Sequence, residues 1–306
     1  MNTARALGLL LGYAADRTWG DPRRLHPVAG FGMCAQRLES WTYCDGRSRG
    51  AVHVAVLVAG SAGLAYATER LTRNPVARTA LTAAVTWAVL GGRSLEREAD
   101  AVVAMIDADD LAAARIRVRN LVGRDTSALG PDEIARAVVE SVAENTSDAV
   151  VASLLWGAVA GVAGLVGHRA ANTLDAMIGH RNTRYQRFGW AAARLDDVLG
   201  VPAARLSASL ASVLGPDPAG AVRAWRRDAR HHPSPNAGVV EAAFAGSLGV
   251  QLGGVNTYYG DRREQRALMG DGRPPAPSDV ERATLLARRV GAGALLAALL
   301  WSLSRR

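Results

Sequence analysis

Glu140, Glu144 and Asp148 stand four residues apart in the stretch Glu140-Ser141-Val142-Ala143-Glu144-Asn145-Thr146-Ser147-Asp148. At helical spacing this puts three carboxylates on one face, with Asn145 and hydroxyls close by. Like charges so placed oppose one another and weaken the helix, so a bound cation or a cationic partner is expected to neutralise them. The plain alternative is a solvated face paired with arginines such as Arg136. The apolar run Ala149 to Gly167 follows at once.

Further polar blocks carry possible chemistry. In Asn172-Thr173-Leu174-Asp175-Ala176-Met177-Ile178-Gly179-His180-Arg181-Asn182, Asn172 and Asp175 share a face, and Arg181 and Arg184 lie one turn apart. A carboxylate and an amide beside guanidinium groups suit a metal-bound phosphate, or else interfacial capping and ion pairing. Arg194-Leu195-Asp196-Asp197 offers two adjacent acids, of which at most one faces a given site. The loop His231-His232-Pro233-Ser234-Pro235-Asn236-Ala237-Gly238 is stiff, and Ser234 or Asn236 suits a helix N-cap with anion-attracting amides. Glu241, on the next turn, is open to three roles: ligand, base or complement to the helix dipole. Asn256-Thr257-Tyr258 adds amide, hydroxyl and phenol donors in a glycine-flanked turn.

Something must hold these blocks in place. Among 306 residues, four uncharged runs recur at about 50–68, 79–92, 149–167 and 290–303. A bilayer core needs roughly 20 apolar residues in a helix, so two runs reach span length and two are short. Gly157, Gly161 and Gly164 allow either close helix approach or a re-entrant bend in the third run. Polar blocks 16–49, 93–148, 168–199, 215–235 and 256–285 lie between the runs. Block 93–148 reads as two amphipathic helices broken at Gly123 to Pro131, and Asp132 is a reasonable start for the second. No period-2 strand pattern is visible. The expected fold is all-α: a polytopic integral membrane helical bundle with sizeable polar helical loops, in a single domain 1–306. A soluble bundle with buried Ala/Gly helices is the alternative.

Composition narrows the chemistry. All 36 basic residues are arginine. A phosphate loop that needs lysine is excluded, as is a Schiff-base lysine. The net charge of +8 is spread among apolar runs without a basic helix, which favours an anionic membrane surface over nucleic acid. Cys34 and Cys44 form no metal motif. The N-terminal apolar segment lacks a small-residue cleavage site and reads as a retained helix.

Taken in order, the chain resembles the adenosylcobinamide-phosphate synthase family of cobalamin biosynthesis (CobD/CbiB) over nearly its whole length. The matching blocks are Gly20-Asp21-Pro22 with His26-Pro27, Gly123-Arg124-Asp125-Thr126, Glu140 to Asp148, Asn172 to Asn182, Tyr185 with Phe188-Gly189-Trp190, Arg194 to Asp197, His232 to Gly238, and Asn256-Thr257-Tyr258. It departs at Ala149 and Ser153, where the family pattern has Gly and Pro, and at Val239-Val240, where it has Trp-Pro.

The resemblance implies a multi-pass cell-membrane enzyme with its site facing the cytoplasm. It would join 1-aminopropan-2-ol, or its O-phosphate, to the propionate side chain of adenosylcobyric acid, using ATP and Mg²⁺. On that reading Glu144, Asp148 and Asp175 hold Mg²⁺, and Arg181 and Arg184 clamp phosphate. His232 or Glu140 serves as the base. Asn145, Asn172, Asn182, Ser234, Asn236, Asn256 and Tyr258 bind the substrates. The partners are the corrinoid, the amino alcohol, membrane lipid and other membrane enzymes of the pathway. The rival reading is a corrinoid- or anion-binding membrane transporter or scaffold without catalysis.

Overall fold

The computed structural model describes residues 2–22, 26–258 and 262–304, with the side chains of all of these except 257, 258, 262 and 263. In chain order the helices begin with α1 (Asn2–Trp19), α2 (Pro27–Thr42), α3 (Arg47–Leu71), α4 (Pro75–Val89), α5 (Gly92–Asp107), α6 (Leu111–Arg117) and α7 (Pro131–Asn145). They continue with α8 (Ala152–Ile178), α9 (Tyr185–Phe188), α10 (Trp190–Leu214), α11 (Pro218–Asp228) and α12 (Ala237–Leu248). Strands β1 (Leu252–Tyr258) and β2 (Arg262–Met269) precede α13 (Pro277–Ser304). By contact the chain divides into two compact units, residues 1–91, 148–201 and 294–306 in the first and 92–147 and 202–293 in the second.

Four helical stretches are long and apolar enough to cross a membrane: Arg47–Leu71, Pro131–Ile178, Trp190–Leu214 and Pro277–Ser304. Three of them contain runs visible in the sequence. The run 79–92 falls largely in α4, whose 15 residues are too few to span. Trp190–Leu214 was hidden because Arg194, Asp196, Asp197 and Arg205 interrupt it. Only 22% of the α3 window is buried inside the protein. An apolar helix left so uncovered calls for a nonpolar solvent, and the fold is a helical membrane bundle.

In the first unit α1 lies tightly on α4. A Cβ at Gly8 or Gly12 would collide with the fully buried Thr82 or Thr86. Small residues thus bring the two backbones together, as is common where helices pack in lipid.

The run 149–167 does not continue straight. Gly161 takes φ 67° and ψ −146°, and α8 breaks there. A Cβ on Gly164 would collide with the carbonyl of Trp156, eight residues back. In a straight helix those positions lie roughly 12 Å apart along the axis, so the segment folds back into a hairpin. The break exposes backbone groups that lipid cannot satisfy. Arg5 donates to the carbonyls of Ala158 (3.1 Å) and Val159 (3.4 Å), and the Val162 amide donates to Glu69 (3.1 Å). Arg5 and Glu69 also face each other at 3.7 Å. One ion pair therefore caps both broken ends.

In the second unit every residue of α12 is buried, and Gly246 approaches the backbone of Gly220 on α11 too closely for a Cβ. This apolar helix carries Glu241 into the interior. Strands β1 and β2 pair antiparallel, Asn256 opposite Glu264, with an irregularity between Leu252 and Gly254. The hairpin is a small addition to an otherwise helical fold. β1 reads Leu-Gly-Gly-Val-Asn-Thr-Tyr, whose two glycines and polar residues erase the alternation that marks a strand.

Candidate functional site

A cavity of about 190 Å³ lies wholly within the second unit, lined by Arg124, Glu140, Glu144, His232, Glu241 and Arg266 among others. Two stretches far apart in sequence, 121–144 and 232–269, supply these groups. Helix α7 starts at Pro131 rather than Asp132, and Glu133 accepts from the Gly130 amide at 2.8 Å. Its apolar face (Ile134, Val138, Val142) is buried, and Glu140 and Glu144 are brought to the cavity.

Glu140 has both oxygens engaged. Oε2 accepts from Arg124 at 3.0 Å, and Oε1 accepts from the Gly253 amide at 2.9 Å. Arg124 also donates to Asn256 Oδ1, and Arg136 donates to the carbonyls of Gly253 and Val255. These bonds fix β1 onto α7. Glu144 is exposed at the cavity.

The loop before α12 behaves as its sequence suggests. The Ser234 hydroxyl accepts from the amides of Asn236 (3.3 Å) and Ala237 (3.1 Å), so Ser234 supplies the cap. Asn236, at the N-cap position, accepts from Arg205 at 2.8 Å. His232 Nδ1 lies 3.1 Å from the Ser234 amide and 3.3 Å from its carbonyl. Its Nε2 lies 3.4 Å from Arg266 and 3.9 Å from Glu241. Both tautomers therefore have partners: with Nδ1 accepting, Nε2–H faces Glu241; with Nδ1–H donating, Nε2 faces Arg266. Burial lowers the His232 pKa, which favours a neutral ring at pH 7. Burial, then Glu140 and Glu144, push Glu241 well above the ordinary carboxylate value, with Arg266 and Arg124 opposing.

The other expected site residues fall elsewhere. In the first unit Arg169 donates to Asn172 at 3.3 Å, and Asp21, Asp148 and Asp196 act on its charge. Trp87 donates to the Gly20 carbonyl at 2.7 Å, which anchors the loop carrying Asp21. Arg184 is paired with Glu39 at 2.8 Å and lies over Tyr43, while Arg181 is exposed. Asn182 accepts from the Tyr185 amide at 2.8 Å. Asn145, in the second unit, donates to Ser141. The side chain of Tyr258 lies outside the described residues.

The carboxylate row also changes. Asp148 sits in a π-helical turn, Thr146–Val151, so four-residue spacing no longer keeps it beneath Glu144. Glu144 belongs to the second unit, whereas Asp148 and Asp175 belong to the first. Among the described residues no group of three or more His, Cys, Asp or Glu is placed to hold a metal ion. The expected trio is not gathered into an all-protein cage.

Sequence reasoning gave no role to Arg124, Arg266 or Arg169. Arg124 alone carried a signal, through the block Gly123 to Thr126.

The CobD/Cbib protein family model matches residues 9–287. Proteins described as Cobalamin biosynthesis protein CobD are similar along their length. The one from Mycobacterium tuberculosis (strain ATCC 25618 / H37Rv) is 52% identical over 99% of this chain and 97% of its own. Those from Chromobacterium violaceum and Rhodobacter capsulatus are 43% and 40% identical, covering 94% and 99% of this chain and 93% and 100% of theirs. No solved structure matches.

Proposed function

The chain belongs to the CobD/Cbib protein family and has a role in cobalamin biosynthesis; from that premise we propose that it ligates 1-aminopropan-2-ol, or its O-phosphate, to the propionate side chain of adenosylcobyric acid. The product is an amide, adenosylcobinamide or its phosphate. The observation that carries this reading is the cavity where Glu140, Glu144, Glu241, His232, Arg124 and Arg266 converge. Carboxylates suit an ammonium group, arginines suit an oxyanion, and a neutral buried imidazole suits proton transfer.

A carboxylate does not accept an amine directly, because its oxygen is a poor leaving group. ATP is proposed to transfer its γ-phosphoryl group to it, giving an acyl phosphate and ADP. Mg²⁺ carried with the nucleotide phosphates would neutralise charge on the transferred phosphoryl group. The amine must then lose a proton before it attacks, and as the amide forms the acyl–oxygen bond breaks and inorganic phosphate leaves. His232 Nε2 is the proposed acceptor, with the Glu241 carboxyl 3.9 Å from it. Glu140 suits a base poorly, since an arginine and an amide engage its two oxygens. Its proposed role is to hold Arg124 and β1 in place. Glu144, exposed at the cavity, attracts the ammonium end. The site is proposed to face the cytoplasm, where ATP is supplied.

The test uses the full-length protein in detergent with adenosylcobyric acid, ATP, Mg²⁺ and each amino alcohol in turn. The expected product has the mass of the corresponding amide, and ATP is consumed only when both organic substrates are present. Corrinoid binding with no amide and no ATP consumption overturns the ligase reading in favour of a carrier.

A further inference from the structure

Arg124 is 4% exposed and lines the second-unit cavity. Its Nη1 serves Glu140 and Asn256. Its Nε and Nη2 are buried and find no partner, and among the described residues it is the arginine with both of these atoms in that state. Buried N–H groups without acceptors are costly, so a native protein that keeps them calls for an explanation. The Nε–Nη2 edge is one of the forks by which a guanidinium grips two oxygens of a carboxylate or phosphate. The protein occupies the other nitrogen and leaves this fork without an acceptor. Glu140 and Asn256 also restrain the guanidinium through Nη1. The cavity of about 190 Å³ admits a small group or a side-chain end, not a whole corrinoid.

We propose that the Nε–Nη2 edge of Arg124 receives a substrate oxyanion during the ligation. This rests on the ligase reading above. The oxyanion has two possible sources, the corrinoid's propionate carboxylate and the phosphate of the phosphorylated amino alcohol.

The experiment measures binding apart from turnover. Wild type, Arg124→Lys and Glu140→Gln are compared at full length in detergent, each first checked for a monodisperse elution profile. Ultrafiltration of the coloured adenosylcobyric acid reads one source, and labelled aminopropanol O-phosphate reads the other. Lysine keeps the charge but lacks the fork, so Arg124→Lys is expected to weaken one of the two ligands about tenfold. Glu140→Gln leaves the fork intact and is expected to weaken that ligand less. Selective loss for the corrinoid acid assigns the carboxylate, and selective loss for the phosphate ester assigns the phosphate. Arg124→Lys binding both ligands as wild type does, or losing both no more than Glu140→Gln, overturns the proposal. If the wild type binds neither ligand, the ligase reading falls and takes this proposal with it. If the wild type binds and turns over while Arg124→Lys leaves binding unchanged, only the role of Arg124 falls.

Discussion

Glu140 and Glu241 show how two carboxylates of one cavity come to different duties. Glu140 is tied to a cation and an amide, whereas Glu241 is carried inward by a wholly buried helix toward like charges. Replacing Glu140 by Gln keeps an acceptor for the Gly253 amide but removes the charge that pairs with Arg124. That change is expected to cost about 1.5–3 kcal/mol of stability, measurable as a lower midpoint of thermal unfolding. Glu241→Gln should act in the other direction as pH rises above the ordinary carboxylate value. A carboxyl whose pKa is raised by folding binds its proton more tightly in the folded state, so stability is lost as pH rises from its ordinary value near 4.5 through the raised one. The wild-type unfolding midpoint should therefore fall across that window, and Glu241→Gln should flatten the fall. Equal slopes in the two proteins would remove the buried-carboxylate account. His232→Gln tests the base itself, with an expected drop in kcat of about 100-fold or more and little change in folding. The sequence made His232, Glu140 and Glu144 legible because acids and histidines stand out against apolar runs. It marked Arg124 only through the block Gly123 to Thr126 and did not mark Arg266, since in a chain whose every cation is arginine one more guanidinium carries little signal.

Helix α8 is the element where composition misleads most. Its apolar run has the length of a crossing helix, yet Gly161 adopts a left-handed φ and the segment doubles back. Glycine spacing leaves both a close helix approach and a bend open. Arg5 and Glu69 hold the bend, and neither can be read from the run itself because they come from α1 and α3. The same reason hid the π-helical turn at Thr146–Val151 and the β1–β2 hairpin, both set by contacts beyond the local sequence. Gly161→Ala should destabilise the hairpin by about 1–3 kcal/mol, because the residue is strained at this φ. Its Cβ would also lie 2.6 Å from the Glu69 carboxylate oxygens. Topology gives a sharper check. With the exposed Cys34 and Cys44 replaced by Ser, single cysteines at Asp148 and Asp175 should react with an impermeant maleimide added to the same side of the membrane. Labelling from opposite sides would mean that the run crosses straight through.

Charge and hydropathy over the whole chain bear on how membrane residence should be tested. Mean hydropathy is only +0.04, and the net charge is +8. A weakly apolar cationic chain can adhere to anionic lipid without crossing it, so pelleting with membranes does not by itself separate an embedded bundle from an adsorbed one. An alkaline carbonate wash usually makes that distinction partly by stripping charge from lysine, whose pKa is about 10.4. Here the wash loses that power. All 36 cations are arginine, which stays protonated at about pH 11, so electrostatic attachment would survive. Salt supplies the missing control, because at 1 M the screening length shrinks to about 3 Å. The four long apolar stretches, and α3 above all with only 22% of its window covered by protein, predict retention through carbonate and 1 M salt together. Release should require detergent. Recovery of a monodisperse protein in the salt–carbonate supernatant would show that those helices find their partners in water, and the membrane bundle would have to be given up.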